Sequence, residues 1–301
     1  VRKWSAIAYP FVLVALLSFL AVPRCAAQVG QQIFWLDSQR LLKLSIDQPN
    51  ELTAAVIQDG HSHAWPKLTA ALHNAGLPWM MSSPDGNWLL YDSFAGGSAR
   101  RSGQPAYFAT NVNTLQRQVW SRDPEGPTCW ANDSQSFFVV PCDSSEGTQF
   151  FLKNGVMTKI KLAGNIKGLI GQTSDGRLVG ADGDFGALSG PSIIHLYFSR
   201  IGATGFTSSV ASVPKQFAIV SLGYEPRANR LAIVAASRSK SSASKTSCFV
   251  YDLDQSGAVL KQTSVYADGK PYDNIEWSPD GSKFLIFNSS SWNYEIVSVT
   301  E

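Results

Sequence analysis

Only 16 % of the 301 residues are charged, while 44 % are apolar. So little charge and so much apolar surface exclude an intrinsically disordered chain. Long helix-forming runs are scarce, whereas Gly, Ser, Thr and Asn are plentiful, and that balance points to strands and turns. Neither sign of charge dominates. Without residues 1–27, which hold Arg2, Lys3 and Arg24 and no acids, 22 basic and 23 acidic residues remain, a formal charge of −1. The chain thus gives no electrostatic reason for a nucleic-acid partner. The stretch Ser237–Ser247, "SRSKSSASKTS", carries three basic residues among serines and reads as a solvated loop.

A run long enough to span a membrane is also missing. Phe11–Val22 is apolar over 12 residues, against the roughly 20 that a span needs. Arg2 and Lys3 precede it, and Cys25-Ala26-Ala27 follows with small residues where a signal peptidase cuts. Residues 1–27 therefore have the layout of a secretory signal peptide. The expectation is a periplasmic or secreted mature chain from Gln28, with no stable membrane span after cleavage. Arg24 before Cys25 argues against a lipoprotein.

What the chain does have is repetition. "SPDGN-WLLY" begins at Ser83, "ANDSQS-FFVV" at Ala131, "TSDGR-LVGA" at Thr173, "EPRANR-LAIV" at Glu225 and "SPDGSK-FLIF" at Ser278. Their third turn positions are Asp85, Asp133, Asp175, Arg227 and Asp280, at intervals of 48, 42, 52 and 53 residues. Such a period marks a repeat architecture. In each full copy Pro presets φ, Asp bonds back to nearby N–H groups and Gly accepts φ > 0, so the stretch reverses a strand. The four residues that follow are apolar on both faces of their strand, which must then be covered on both sides. Two further strands follow each turn at short spacing. They are Pro105–Val112 and Leu115–Trp120, Thr148–Gly155 and Val156–Leu162, Ser192–Ser199 and Gly205–Val213, and Ser247–Leu253 and Ala258–Val265. Each unit thus reads as four short antiparallel strands, the content of a propeller blade.

The pattern W-S-P-D-G-x-x followed by four apolar residues resembles the TolB-type, WD40-like β-propeller repeat. "EWSPDGSKFLIF" (Glu276–Phe287) and "SSPDGNWLLY" (Ser82–Tyr91) carry the resemblance, and "CWANDSQSFFVV" (Cys129–Val140) keeps Trp and Asp. The resemblance covers roughly Leu77–Glu301 and implies a fold. It transfers no catalytic residue, because the motif residues build turns. TolB has an extra α/β domain before its propeller, for which Gln28–Gly76 is too short.

Before the first full repeat, Gln32–Leu36 and Leu41–Ile46 read as two strands. "WPKLTAALHNAG" (Trp65–Gly76) signals a short helix near Pro66–Ala75, with Pro at its start and Gly beyond its end. The last unit has strands ending near Trp277, at Phe284–Asn288 and at Tyr294–Val299. Leu41–Ile46 or Ile33–Leu36 is expected to complete it and close the ring.

Chemistry-bearing residues are few. "GHSHA" (Gly60–Ala64) superficially resembles a nucleophile elbow around Ser62, but the elbow belongs to a sheet of many βα units. Asp59, His61 and His63 are candidate metal ligands, since His-x-His on a strand puts both rings on one face. The remaining His73 and His195 have no evident reason to join them. "ADGDFG" (Ala181–Gly186) flanks a Gly with Asp182 and Asp184, a weak calcium-loop signal. Trp130 and Trp277 fall in the repeat register as packing residues. Trp79, Trp120 and Trp292 lie near strand ends, where they pack or line a ligand surface. In the hairpin turning at Asn132–Gln135, Cys129 falls opposite about Phe138. Cys142 then lies about 13 Å farther along, too far for a bridge.

The sequence therefore predicts an all-β propeller of five or six four-stranded antiparallel blades with a short N-terminal, helix-containing insertion. Residues 1–27 are read as the signal peptide, 28–76 as closing strands and helix, and 77–301 as the propeller. The expected function is binding of a protein, peptide or glycan. A propeller-fold hydrolase or lyase with residues scattered over the loops is the alternative. No catalytic residue, metal ligand or cofactor is assigned, and the oligomeric state stays open.

Overall fold

A computed structural model of the chain describes residues 31–47, 51–72, 80–92, 106–121, 125–166, 168–182, 192–238, 245–268, 270–288, 291 and 293–299. Its strands form six antiparallel sheets, each a meander in chain order. Blade 1 holds β1 (Gln31–Trp35), β2 (Arg40–Asp47), β3 (Glu51–Gln58) and β4 (His61–Ala64), followed by the helix α1 (Pro66–Leu72). Blade 2 holds β5 (Met80–Ser82), β6 (Trp88–Asp92), β7 (Ala106–Asn111) and β8 (Arg117–Ser121). Blade 3 holds β9 (Thr128–Trp130), β10 (Ser136–Val139), β11 (Ser144–Phe151) and β12 (Met157–Ile166). Blade 4 holds β13 (Gly168–Gln172), β14 (Leu178–Asp182), β15 (Ile193–Ser199) and β16 (Phe206–Ser212). Blade 5 holds β17 (Phe217–Glu225), β18 (Arg230–Ser237), β19 (Thr246–Leu253) and β20 (Val259–Asp268). Blade 6 holds β21 (Asn274–Trp277), β22 (Lys283–Phe287) and β23 (Tyr294–Ser298). The first strands of successive blades lie side by side, and β1 neighbours both β5 and β21, so the ring is closed. No helix among the described residues is long and apolar enough to cross a membrane.

Burial follows each strand's place in its blade. The second strands are covered on both faces: β10 is buried throughout and β18 at all but its end residues. The outer strands β12 and β16 are mostly exposed. The buried side chains fall into six clusters, one at each blade-to-blade seam. Each blade thus buries both faces against its neighbours, the condition that the two-sided apolar runs impose.

The turns behave as their residues dictate. In blade 2, Gly86 N–H donates to Ser83 O at 2.8 Å, Trp88 N–H to Ser83 Oγ at 3.0 Å, and Ser83 Oγ–H to Asp85 Oδ1 at 2.5 Å. Blade 6 repeats this at Ser278, Asp280, Gly281 and Lys283, and blade 4 does so with Thr173 in place of Ser. In blade 5 the Glu225 carboxylate takes over, accepting Arg227 N–H at 2.9 Å and Ala228 N–H at 2.6 Å. In blade 1 the Asp37 carboxylate accepts the N–H groups of Gln39 and Arg40. Gly86 is needed twice over. Its φ is +71°, and a Cβ there would sit 1.9 Å from the Leu36 carbonyl oxygen of the neighbouring blade.

Two expectations change. Neither Ile33–Leu36 nor Leu41–Ile46 completes the last blade: β1 pairs with β2, Phe34 opposite Leu42, and β2 pairs with β3, so these strands build a blade of their own. Among the described residues the last blade keeps three strands. The reason lies in β1, which is apolar on both faces. Ile33 and Trp35 pack towards blade 6 while Phe34 packs towards blade 2. An innermost strand has a neighbour on each side, and an outer strand does not. The segment 28–76, read as closing strands and a helix, accordingly carries a whole first blade and then α1 at Pro66–Leu72. Blade 1 supplies the sixth blade of the ring.

Candidate functional site

Because neighbouring strands are antiparallel, the first-to-second and third-to-fourth connections leave at one end of the ring. The second-to-third and blade-to-blade connections leave at the other. At the first end every connection is short, from 2 residues (59–60) to 6 (200–205). At the second end four connections are long: 65–79 with 15 residues, 93–105 with 13, 183–192 with 10 and 238–245 with 8. Length variation, and with it the capacity to present side chains, is thus concentrated at one end.

The short-turn end carries a repeated latch. The indole N–H of Trp35 donates to Glu276 O at 3.1 Å, that of Trp130 to Met81 O at 3.4 Å, and that of Trp277 to Gly223 O at 3.0 Å. Each Trp closes the first strand of its blade and bonds the preceding blade one residue before the equivalent position. In blade 4 the equivalent residue is Gln172, whose Oε1 accepts Asn132 N–H at 3.0 Å from blade 3.

One of these positions holds a titratable group. Ile275 and Trp277 lie over Gly223 of blade 5, so the alternation of β21 turns Glu276 towards blade 1. Glu276 Oε1 accepts Ser82 Oγ–H from blade 2 at 2.6 Å and Trp35 N–H from blade 1 at 3.4 Å. Three blades meet on one carboxyl oxygen. Among the described residues no cation pairs with it, and burial pushes its pKa up to about 7 against the two hydrogen bonds that favour the anion.

The other candidates disperse. Asp59 and Gly60, with φ of 50° and 75°, are the two-residue turn between β3 and β4, with Gln58 opposite His61. That is the geometry of a tight hairpin. His61, Ser62 and His63 then lie exposed on an outer strand. His195 is in blade 4, opposite Asp182 and Val210, and His73 lies outside the described residues. Among the described residues no three His, Cys, Asp or Glu side chains group to hold a metal. Of "ADGDFG", only Ala181 and Asp182 are described. Trp120 packs edge-on against Phe137 and Phe150 and donates to Gly155 O at 3.0 Å. Trp79 and Trp292 lie outside the described residues. Cys129 stands opposite Phe138, and Cys129, Cys142 and Cys248 are free thiols, the first and last buried. Burial pushes both buried thiols up, that of Cys248 to about 12.

Glu276 was missed by sequence reasoning, although a signal existed. It precedes a Trp that faces one neighbouring blade, on the strand nearest the axis, so it had to face the other neighbour.

No protein-family model and no curated protein matches the chain. Solved structures do. TolB from Acinetobacter baumannii is 16 % identical with a TM-score of 0.50, over 88 % of this chain and 64 % of that one. A chain of the mitotic checkpoint complex is 12 % identical with a TM-score of 0.51, over 91 % of this chain and 88 % of that one. At such identities the likeness speaks for the fold alone. Repeat pattern and fold agree: the chain is a six-bladed β-propeller whose repeats resemble the TolB-type, WD40-like pattern.

Proposed function

We propose that the chain is an exported binding scaffold whose ligand, a protein, peptide or glycan, docks on the end of the ring that carries the long connections. The observation that supports this is the asymmetry of the two ends: turns of 2 to 6 residues at one, connections of up to 15 at the other. A rigid ring with variable loops on one rim is the arrangement of a presenting surface. The layout of residues 1–27 supports export, to the periplasm or beyond. A place in an assembly is the second reading, favoured by the likeness of fold to a chain of the mitotic checkpoint complex.

The test compares two variants of the chain beginning at Gln28. In one, residues 93–105 and 183–192 are replaced by four-residue turns; in the other, the short-turn end carries Gln39→Glu and Ser282→Lys. Immobilised on beads, the intact chain and the second variant should retain the same partner from a native envelope fraction, and the first should lose it at an unchanged Tm. Retention by the loop variant would overturn the reading. N-terminal sequencing of the native protein should begin at Gln28; a protein that keeps residues 1–27 in a cytoplasmic fraction would refute export.

A further inference from the structure

The seam between blades 6 and 1 leaves a shaped space. A cavity of about 280 Å³ opens there, walled by Leu41 and Ile57 of blade 1 and by Tyr294 and Ile296 of blade 6. Strand register explains the walls. Leu41 stands opposite Ile57 across β2 and β3, and Ile296 stands opposite Leu285 across β22 and β23. Alternation sends Tyr294 to the same face as Ile296, while Glu295 turns the other way to pair with Lys270. Ile296 is 48 % exposed, although Leu285 is fully buried. An apolar wall above a closed apolar floor favours an apolar occupant.

The cavity also takes one charge of each sign, one from each blade. Asp59, in the tight β3–β4 turn, comes from blade 1, and Lys283, the first residue of β22, comes from blade 6. Lys283 Nζ donates to Ser38 O across the seam at 3.4 Å, a long bond beside the roughly 2.7–2.9 Å of an ammonium on a carboxylate. An ammonium carries three donors, so a ligand oxygen can join Ser38 there. The cavity lies just below the roughly 300–1,000 Å³ of drug-sized pockets, which suits a molecule of about ten non-hydrogen atoms.

We propose that this cavity binds a small zwitterion with an apolar side chain, such as a free aliphatic α-amino acid. Its carboxylate lies on Lys283, its ammonium on Asp59, and its side chain between Ile57 and Ile296. A wholly apolar molecule would leave both charges unused, and a simple anion would bring its charge beside Asp59 without a partner. The ligand touches blades 1 and 6 at once, so it binds the closed ring and stabilises it by linkage. This site lies beside the short turns of blade 1, at the opposite end from the long connections, so either reading can fail alone.

The probe is L-leucine. Titration calorimetry with the full chain should show saturable binding, and the thermal midpoint should rise with leucine concentration. Leucinamide, which lacks the carboxylate, and 4-methylpentanoate, which lacks the ammonium, should each bind about tenfold more weakly. Lys283→Gln should weaken leucine about as much and leave leucinamide unchanged. Asp59→Asn should do the same to leucine and leave 4-methylpentanoate unchanged. That crossed pattern separates ligand contact from damage to the fold, which would weaken every probe, and the analogues decide the matter even where a variant fails to fold. The loop replacements above should change nothing. No saturable binding of leucine would overturn the proposal, as would equal binding of leucine and its two analogues, or loss of binding with the loop replacements. Binding seen only after deletion of residues 1–30 or 300–301 would give the cavity to the chain itself and equally overturn it.

Discussion

The seam between blades 4 and 5 and the seam between blades 6 and 1 close the same ring by different means. The first buries fifteen side chains in one cluster, among them Phe198, Ile233 and Tyr251. The second buries four, Ile33, Trp35, Leu41 and Leu285. What the closing seam lacks in apolar area it replaces with polar contacts: the Trp35 indole on the Glu276 carbonyl, the Trp35 N–H on its carboxylate, and Ser82 reaching the same oxygen from a third blade. Burial acts without direction, roughly in proportion to area. Hydrogen bonds act through geometry and contribute about 1 kcal/mol net each. The seam that joins the two ends of the chain is therefore the one that relies most on specific registration.

The coarsest way to break the comparison is to remove one side of the closing seam. Deleting residues 28–46 takes away β1 and most of β2, which leaves the buried faces of blades 2 and 6 uncovered. The deletion variant is expected to lose its cooperative calorimetric transition altogether. A transition of unchanged midpoint would show that blade 1 adds nothing to closure.

The next largest effect belongs to the apolar seam. Phe198 lies under Gly257, where a Cβ would come within 2.1 Å of its ring, and the Arg177 guanidinium stands 5.5 Å from the ring centroid. Phe198→Ala is expected to cost about 3–5 kcal/mol, read from urea unfolding. Trp35→Phe keeps much of the apolar contact at the closing seam and removes one buried donor bond. It is expected to cost about 1–2 kcal/mol. If Trp35→Phe proved as costly as Phe198→Ala, the closing seam would be the stronger of the two.

The turns were legible because their chemistry is local. Ser or Thr, Asp and Gly at fixed offsets form the same hydrogen bonds in blades 2, 4 and 6. Blade 1 fell outside the five repeated turns, within the expectation of five or six blades, because its turn, Leu36-Asp37-Ser38-Gln39, lacks Pro and Gly. Asp37 alone nevertheless organises it, by accepting two backbone N–H groups. At Asp59-Gly60 the hairpin signal was present, but read together with the histidines that follow it resembled a site. Closure was not legible, because whether a strand lies innermost or outermost depends on contacts some 240 residues apart, such as Trp35 with Glu276. The same separation hid Glu276, since its surroundings come from β1 and β5, which no local pattern shows.

The finest test of the comparison is that carboxylate. An unfolded Glu has a pKa near 4.3, and in the folded ring burial raises it to about 7. Between these values the folded state holds a proton that the unfolded state has released, so stability falls as pH rises from about 4.5 to about 7 and is level above. The full shift would correspond to at most about 4 kcal/mol, an upper bound because the Glu276 side chain is only half-buried. Glu276→Gln keeps an acceptor for Ser82 and Trp35 and cannot ionise. At about pH 3.5, where both folded and unfolded Glu276 are protonated, the variant should melt with the intact protein. At pH 8 it should melt higher, by the amount the ionised carboxylate costs, and the pH dependence between 5 and 7 should flatten. Thermal unfolding of both proteins across that range decides it. A variant less stable at pH 8 than at pH 5, relative to the intact protein, would mean that the ionised carboxylate strengthens the closing seam, and that a group able to stabilise the anion, water or cation, stands beside it at the axis.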